Sequence, residues 1–390
     1  METFLDQKNI DDFRNSINET EIFRRDERYK DISNLFPVVM DRMDSCVSYL
    51  NNHATPPETE EELLVFIMYS CMIIDALHQL FRSKPLDLKR PFKDNEDESY
   101  KYFKETCMSA PLNLSNNDCP TDDKFFEYFR SLTMAHPFET SRPKFFEKNE
   151  VQYSPWVIKY QKYYPFKEVK NAIGVRIYSN KFDEIKDLIF SFDILKDYIK
   201  SRYDLIDIIN IKINEITSTT KNEWKKNIIP NDLSPLATLE KIISIFSQRY
   251  LEHYNHYIET AILYLGYPIT NPNNYSYVDE YRDALEQIIP NLVKGANELN
   301  YDDSINELSA VLSPYTKNYN SGNYELEKIF VYLKEDKVGT DDYDFALQMA
   351  KSFDTNFACK WVEIDFDSMN IDEIKLLIRV SCFKDNLENK

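Results

Sequence analysis

Apolar positions along most of the chain recur at helical intervals. The densest run, LLVFIMYSCMIIDALHQLF over 63–81, is about the length of a membrane span. Ser70, Asp75, His78 and Gln79 interrupt it, which predicts a buried bundle helix instead. Its start is marked by Thr59 and, three residues on, Glu62, the pattern of a capping box. Glu60 and Glu61 add negative charge at the positive end of the helix dipole, and Pro85 bounds the far end. Upstream, YKDISNLFPVVMDRMDSCVSYLNN (29–52) predicts one or two amphipathic helices packed on it, and 84–99 reads as a connection.

A second helix is predicted from Thr121, with Asp122 and Asp123 in its first turn. Phe125, Phe129, Leu132 and His136 form one stripe at i, i+4, i+7 and i+11. Pro137 disfavours helical geometry at the residue before it, so the helix should end at His136, on or near the buried face. Beyond it the period shortens: SPWVIKYQ (154–161) and AIGVRIYSN (172–180) predict a two- or three-stranded element near 152–193. The remainder returns to helices, over 192–216, from Ser234-Pro235 for about 30 residues to Tyr267, and over 371–382, with KWVEIDF (360–366) a candidate strand. The expected fold is therefore mainly α: a helical domain over 1–150, a small basic and aromatic β insertion over 151–193, and a helical C-terminal region over 194–390.

Composition sharpens this picture. A chain of 390 residues exceeds the usual reach of one core, and only 5 Gly beside 27 Tyr and 25 Phe leaves little punctuation for tight hairpins. A net charge of −19 excludes a protein that coats nucleic acid with its whole surface, though not a local basic patch. The six cysteines form no C-x-x-C and no regular spacing, which points to a reducing cytosol without zinc site or disulfide framework. The charged N-terminal stretch METFLDQKNIDDFRNS lacks the apolar core of a signal peptide, so a cytoplasmic location with no membrane association is expected.

The chemistry-bearing residues with the most context are Arg130 and His136. An arginine beside a scissile phosphate stabilises the charge of a pentacovalent transition state, and an imidazole moves a ribose 2′-hydroxyl proton near neutral pH. Six residues of ideal helix turn by about 600°, leaving the two directions about 120° apart, so they converge only if the helix unwinds or a second subunit completes the site. The plainer reading is a salt-bridged arginine and a histidine that closes the helix end. A basic window follows: residues 142–182 hold nine Lys and Arg against three Glu, interleaved with aromatics. Arg142, Lys144, Lys159, Tyr160, Lys162, Tyr163, Lys167 and Arg176 are its candidate RNA contacts, phosphates to the cations and unpaired bases to the rings. The plainer alternative is a solvated Lys-rich sheet edge.

A long apolar helix followed by a helix ending in R-x5-H, with polar Ser131 directly after Arg130, resembles the HEPN superfamily over about residues 30–150. The resemblance implies an all-helical bundle that dimerises so that two Arg-His pairs line one cleft. It also implies a metal-independent endoribonuclease of toxin–antitoxin or antiphage defence systems, needing no cofactor. On it, Arg130 would bind the scissile phosphate, His136 would act in proton transfer and Ser131 would orient the site. RNA would be the substrate, an antitoxin or sensor protein a partner, and the C-terminal region would serve regulation or assembly. A reading from another class is a non-catalytic helical adaptor that binds a partner protein through its acidic, aromatic-rich surface.

Two further clusters are candidates for support or for a second site. Asp75 and His78, at i and i+3, are expected to be a partly buried pair able to back His136. Arg249, His253 and His256 are expected on one face of the long helix, as a polar network or an RNA-contacting element. An H-x-x-H pair needs two more ligands, and no partner motif supplies them, so no metal site is expected.

Overall fold

The computed structural model describes residues 3–89, 91–93, 96–141, 143–161, 168–230 and 232–388. The chain is mainly helical, with 63% helix and 6% strand, so the small sheet is an addition to helical bodies. Two units are present, Met1–Ser218 and Thr219–Lys390.

The first unit opens with α1 (Gln7–Asn18), α2 (Ile22–Arg25), α3 (Leu35–Asn52) and α4 (Glu60–Arg82). The apolar run forms α4, and the capping box is present. Thr59 Oγ1 accepts the Glu62 N–H at 3.1 Å, and Glu62 Oε2 accepts the Thr59 N–H at 3.3 Å and the Glu58 N–H at 2.7 Å. Leu63, Phe66, Ile67, Ile73, Leu77 and Leu80 are buried, each stabilising the bundle by about 1.5–3 kcal/mol. α3 packs on α4 and α1, burying Phe36, Val39, Met43, Val47 and Leu50. α4 is long and apolar enough to cross a membrane, and half of its apolar window is buried inside the protein.

Next come α5 (Lys104–Met108) and α6 (Asp122–Arg130), then β1 (Gln152–Tyr153), β2 (Val157–Ile158), β3 (Ala172–Ser179) and β4 (Phe182–Ser191). The sheet is antiparallel, with β3 at its centre: β1 and β2 pair with successive stretches of one edge and β4 with the other. Gly174 is required there, because a Cβ would lie 1.9 Å from the Leu188 carbonyl oxygen. Phe190 of β4 meets Phe103, Phe125 and Phe129, centroids 5.5, 5.7 and 4.9 Å away, and this cluster seats α6 on the sheet. α7 (Phe192–Tyr203) and α8 (Ile206–Trp224) follow. Phe192 packs on Phe66 at 4.8 Å, the Tyr203 hydroxyl donates to the Asp6 carbonyl, and Asn210 donates to the Asn9 carbonyl.

These contacts correct the domain boundaries expected at 150 and 193: the sheet, α7 and most of α8 complete the N-terminal unit. β4 was also missing from the expected two or three strands. Asp183, Glu184, Lys186 and Asp187 give it a polar reading, although Leu188 and Phe190 are buried.

The second unit holds α9 (Pro235–Gln248), α10 (Asn255–Gly266), α11 (Tyr275–Glu286), α12 (Ile289–Glu298), α13 (Asp302–Leu312), α14 (Gly322–Tyr332), α15 (Asp341–Asn356) and α16 (Ile371–Glu388). Its core is built by Ile242, Phe246, Tyr281, Leu292, Phe353 and Leu377 among others. The expected strand at 360–366 is a 3-10 turn and irregular chain, tied down through Glu363, whose side chain accepts from Asn271 and Asn273 and whose backbone pairs with Asn274. The helix expected to run unbroken to Tyr267 is two helices, because the chain turns at Tyr250, where φ is +64°.

Candidate functional site

α6 is held at both ends. Thr121 caps it, accepting the Lys124 N–H at 3.5 Å. Asp122 is fully buried and accepts the N–H groups of Tyr102 and Phe103 at 2.9–3.2 Å. Burial raises its carboxyl above the ordinary range, and those backbone bonds oppose the rise. Asp123 accepts from the Tyr198 hydroxyl at 3.0 Å and from Arg202 Nε at 2.7 Å.

At its other end the helix widens. Ser131–Ala135 is a π turn, in which the His136 N–H donates to the Ser131 carbonyl at 2.8 Å. Thr133 Oγ1 donates back to the Phe129 carbonyl at 3.0 Å, which helps to loosen the ladder. The His136 carbonyl accepts from Thr140 Oγ1 at 2.9 Å and from the Glu139 N–H at 3.1 Å. Thr140 in turn pairs with Gln152 by two backbone bonds, so the exit of the helix is stitched to β1.

The expected catalytic residues part company here. Arg130 is half-buried and turns towards α4, where Nη1 lies 3.9 Å from Asp75 Oδ2; its buried Nε has no partner among the described residues. It also lies against Cys71, whose thiol burial pushes up to about 12 while the guanidinium offsets part of the rise. Ser131 Oγ is 3.0 Å from Thr140 Oγ1, so its hydroxyl supports the helix exit. The His136 side chain is exposed and, among the described residues, has no hydrogen-bond or ion-pair partner. This corrects the expectation that it would lie on the buried stripe with Phe125, Phe129 and Leu132, which are fully buried. The π turn and the φ of −142° at His136 swing it off that face. Asp75 is likewise no buried partner: its side chain is 66% exposed and meets Arg130, while His78 is half-buried.

Within the basic window, one of the described cations is already paired. Arg176 forks onto Asp187 at 2.8 and 2.9 Å and lies 4.4 Å over the Trp156 ring, so its charge is already met. The window stopped just short of Asp183, Glu184 and Asp187, which β4 carries alongside β3. Lys144 is exposed and Lys159 half-buried. Arg142, Lys162, Tyr163 and Lys167 lie outside the described residues. Tyr160 belongs to the wall of a cavity of about 780 Å³ with His53, Glu58, Glu62, Phe66 and Phe192, none of which had drawn attention as a site. The Pro56-Pro57 pair between α3 and α4 is the sequence signal of a stiff wall there.

The second Arg-His cluster is taken apart by the turn at Tyr250. Arg249 ends α9 and is 2% exposed, donating to the Ala296, Trp224 and Asn227 carbonyls at 2.6, 2.8 and 3.3 Å and to the Tyr301 hydroxyl at 3.2 Å. His253 and His256 are exposed, on a 3-10 turn and on α10, and His256 Nδ1 lies 2.9 Å from the His253 carbonyl. They share no helical face with Arg249. Among the described residues no group of three or more His, Cys, Asp and Glu is placed to hold a metal ion.

No protein-family model matches the chain, and no curated protein or solved structure is significantly similar to it.

Proposed function

We propose that the chain is a metal-independent endoribonuclease of the HEPN type, acting in antiphage defence or as a toxin, whose site lies at the end of α6. One observation carries the reading: a π turn presents to solvent the imidazole of His136, which has no partner among the described residues, six residues after an arginine whose ion pair with Asp75 spans 3.9 Å. A phosphate would offer Arg130 a closer and better directed partner than Asp75. In the reaction, His136 moves the proton of the ribose 2′-hydroxyl or of the leaving 5′-oxygen, and Arg130 stabilises the charge on the pentacovalent phosphorus. Attack by the 2′-oxygen breaks the P–O5′ bond and leaves a 2′,3′-cyclic phosphate and a 5′-hydroxyl. Because Arg130 turns towards α4 and His136 towards solvent, the site is completed between two copies, each giving one group.

The test is incubation of single-stranded RNA with the purified chain in a metal chelator, with product ends identified chemically. Arg130→Ala and His136→Ala should each lower cleavage by about 10²–10⁴-fold. Mixing the two variants should restore part of the activity, since a mixed dimer holds one intact composite site. Intact RNA with the wild type, alone and in cells expressing it, would sink the reading. The second reading, a non-catalytic adaptor, draws on the Arg130–Asp75 pair and the Ser131–Thr140 contact, which serve a purely structural role equally well.

A further inference from the structure

The cavity beside α4 has a chemistry of its own. Its volume of about 780 Å³ falls among small-molecule sites. Phe66 and Phe192, both buried, back it from the core, and Tyr160 and Pro56 form its sides. The wall is braced where the Val157 N–H of β2 donates to Glu60 Oε1 at 3.4 Å. On the rim, His53 stacks on Tyr49 at 3.9 Å, and Tyr49 on Tyr69 at 4.3 Å. His53 Nδ1 lies 2.8 Å from the Tyr49 carbonyl, which only accepts, so Nδ1 carries a proton and donates to it.

Among the described residues the charged groups on this wall are two carboxylates, Glu58 and Glu62, and no lysine or arginine. At the helix start the amides of Glu58, Thr59 and Glu62 are already taken up within the capping box. A neutral apolar ligand would strip water from the carboxylates without replacing it. An ammonium group answers both the carboxylates and the aromatic faces, while an alkyl chain lies along Tyr160 and Pro56.

We propose that this cavity binds an organic cation, an aliphatic mono- or polyamine, with its ammonium between Glu58 and Glu62 and its methylenes along Tyr160 and Pro56. The proposal is independent of any ribonuclease activity. Calorimetric titration of the full chain with spermidine should show saturable binding at one site per chain. The double variant Glu58→Gln/Glu62→Gln should weaken it tenfold or more; glutamine at 62 still reaches back to the cap, so the start of α4 is kept. Glu58→Gln alone, whose side chain makes no cap bond, should act in the same direction. Asp341→Asn/Asp342→Asn removes the same charge from the exposed first turn of α15 and should leave binding unchanged. Absence of saturable binding by the wild type, or equal weakening by the α15 pair, which would mean general attraction to the −19 chain, overturns the proposal.

Discussion

Arg249 is a buried cation with no carboxylate partner among the described residues, and it is tolerated because helix ends converge on it. Trp224 ends α8 and Ala296 lies in the last turn of α12, so the carbonyl ends of two helix dipoles face one guanidinium. Arg249→Met should therefore leave the Ala296 and Trp224 carbonyls unpaired and cost about 3 kcal/mol or more, read as a fall in the urea midpoint. Asp122 gives a pH signature of opposite character. Its folded carboxyl titrates above the ordinary range, so the fold holds the proton longer than the unfolded chain does. Stability is lost as pH rises through the ordinary carboxylate range to the raised value. Asp122→Asn should remove that loss, and its urea midpoint relative to wild type should improve from pH 3 to pH 7. At this scale the sequence disclosed residue types but not partners. Arg130 found Asp75 and Arg176 found Asp187 through helix packing and strand register, which no local spacing encodes.

Elements were legible where their signals are local. The capping box of α4 is one such case. Thr59→Ala should cost about 1 kcal/mol in the urea midpoint, whereas Glu62→Gln should cost much less because the amide still accepts the Thr59 N–H. The end of α6 was legible through Pro137, yet its π turn was not, since nothing in SLTMA demands a wider turn. The break after Gln248 has no Gly or Pro to announce it. Tertiary bonds of the Arg249 side chain override a periodicity that runs straight through. β4 was hidden for the converse reason: its charged outer positions look like a loop until β3 pairs with them.

At the scale of the whole molecule, the cysteines test the packing of both units together. Cys46, Cys71, Cys107, Cys119 and Cys382 are buried, and burial pushes each thiol above its ordinary range, to about 11 for Cys46 and about 12 for Cys382. Only Cys359 is exposed. A disulfide reagent at pH 8 should therefore label one thiol quickly in the native chain and all six in denaturant. The mainly helical class followed from periodicity and scarce glycine. The division at Ser218 did not, because α7 and α8 read as the start of a new region until their contacts with Asp6, Asn9 and Asp123 are known. That division falls inside α8 rather than in a loop, and this governs how the molecule can be dissected. A chain cut at Ser218 would end in mid-helix with its last four carbonyls bare. Trp224, which ends the same helix, and Asn227 just beyond it are acceptors for Arg249. The final turn of α8 is thus needed by both halves, and an N-terminal fragment meant to fold alone should run to Asn227 while its C-terminal counterpart begins no later than Lys221.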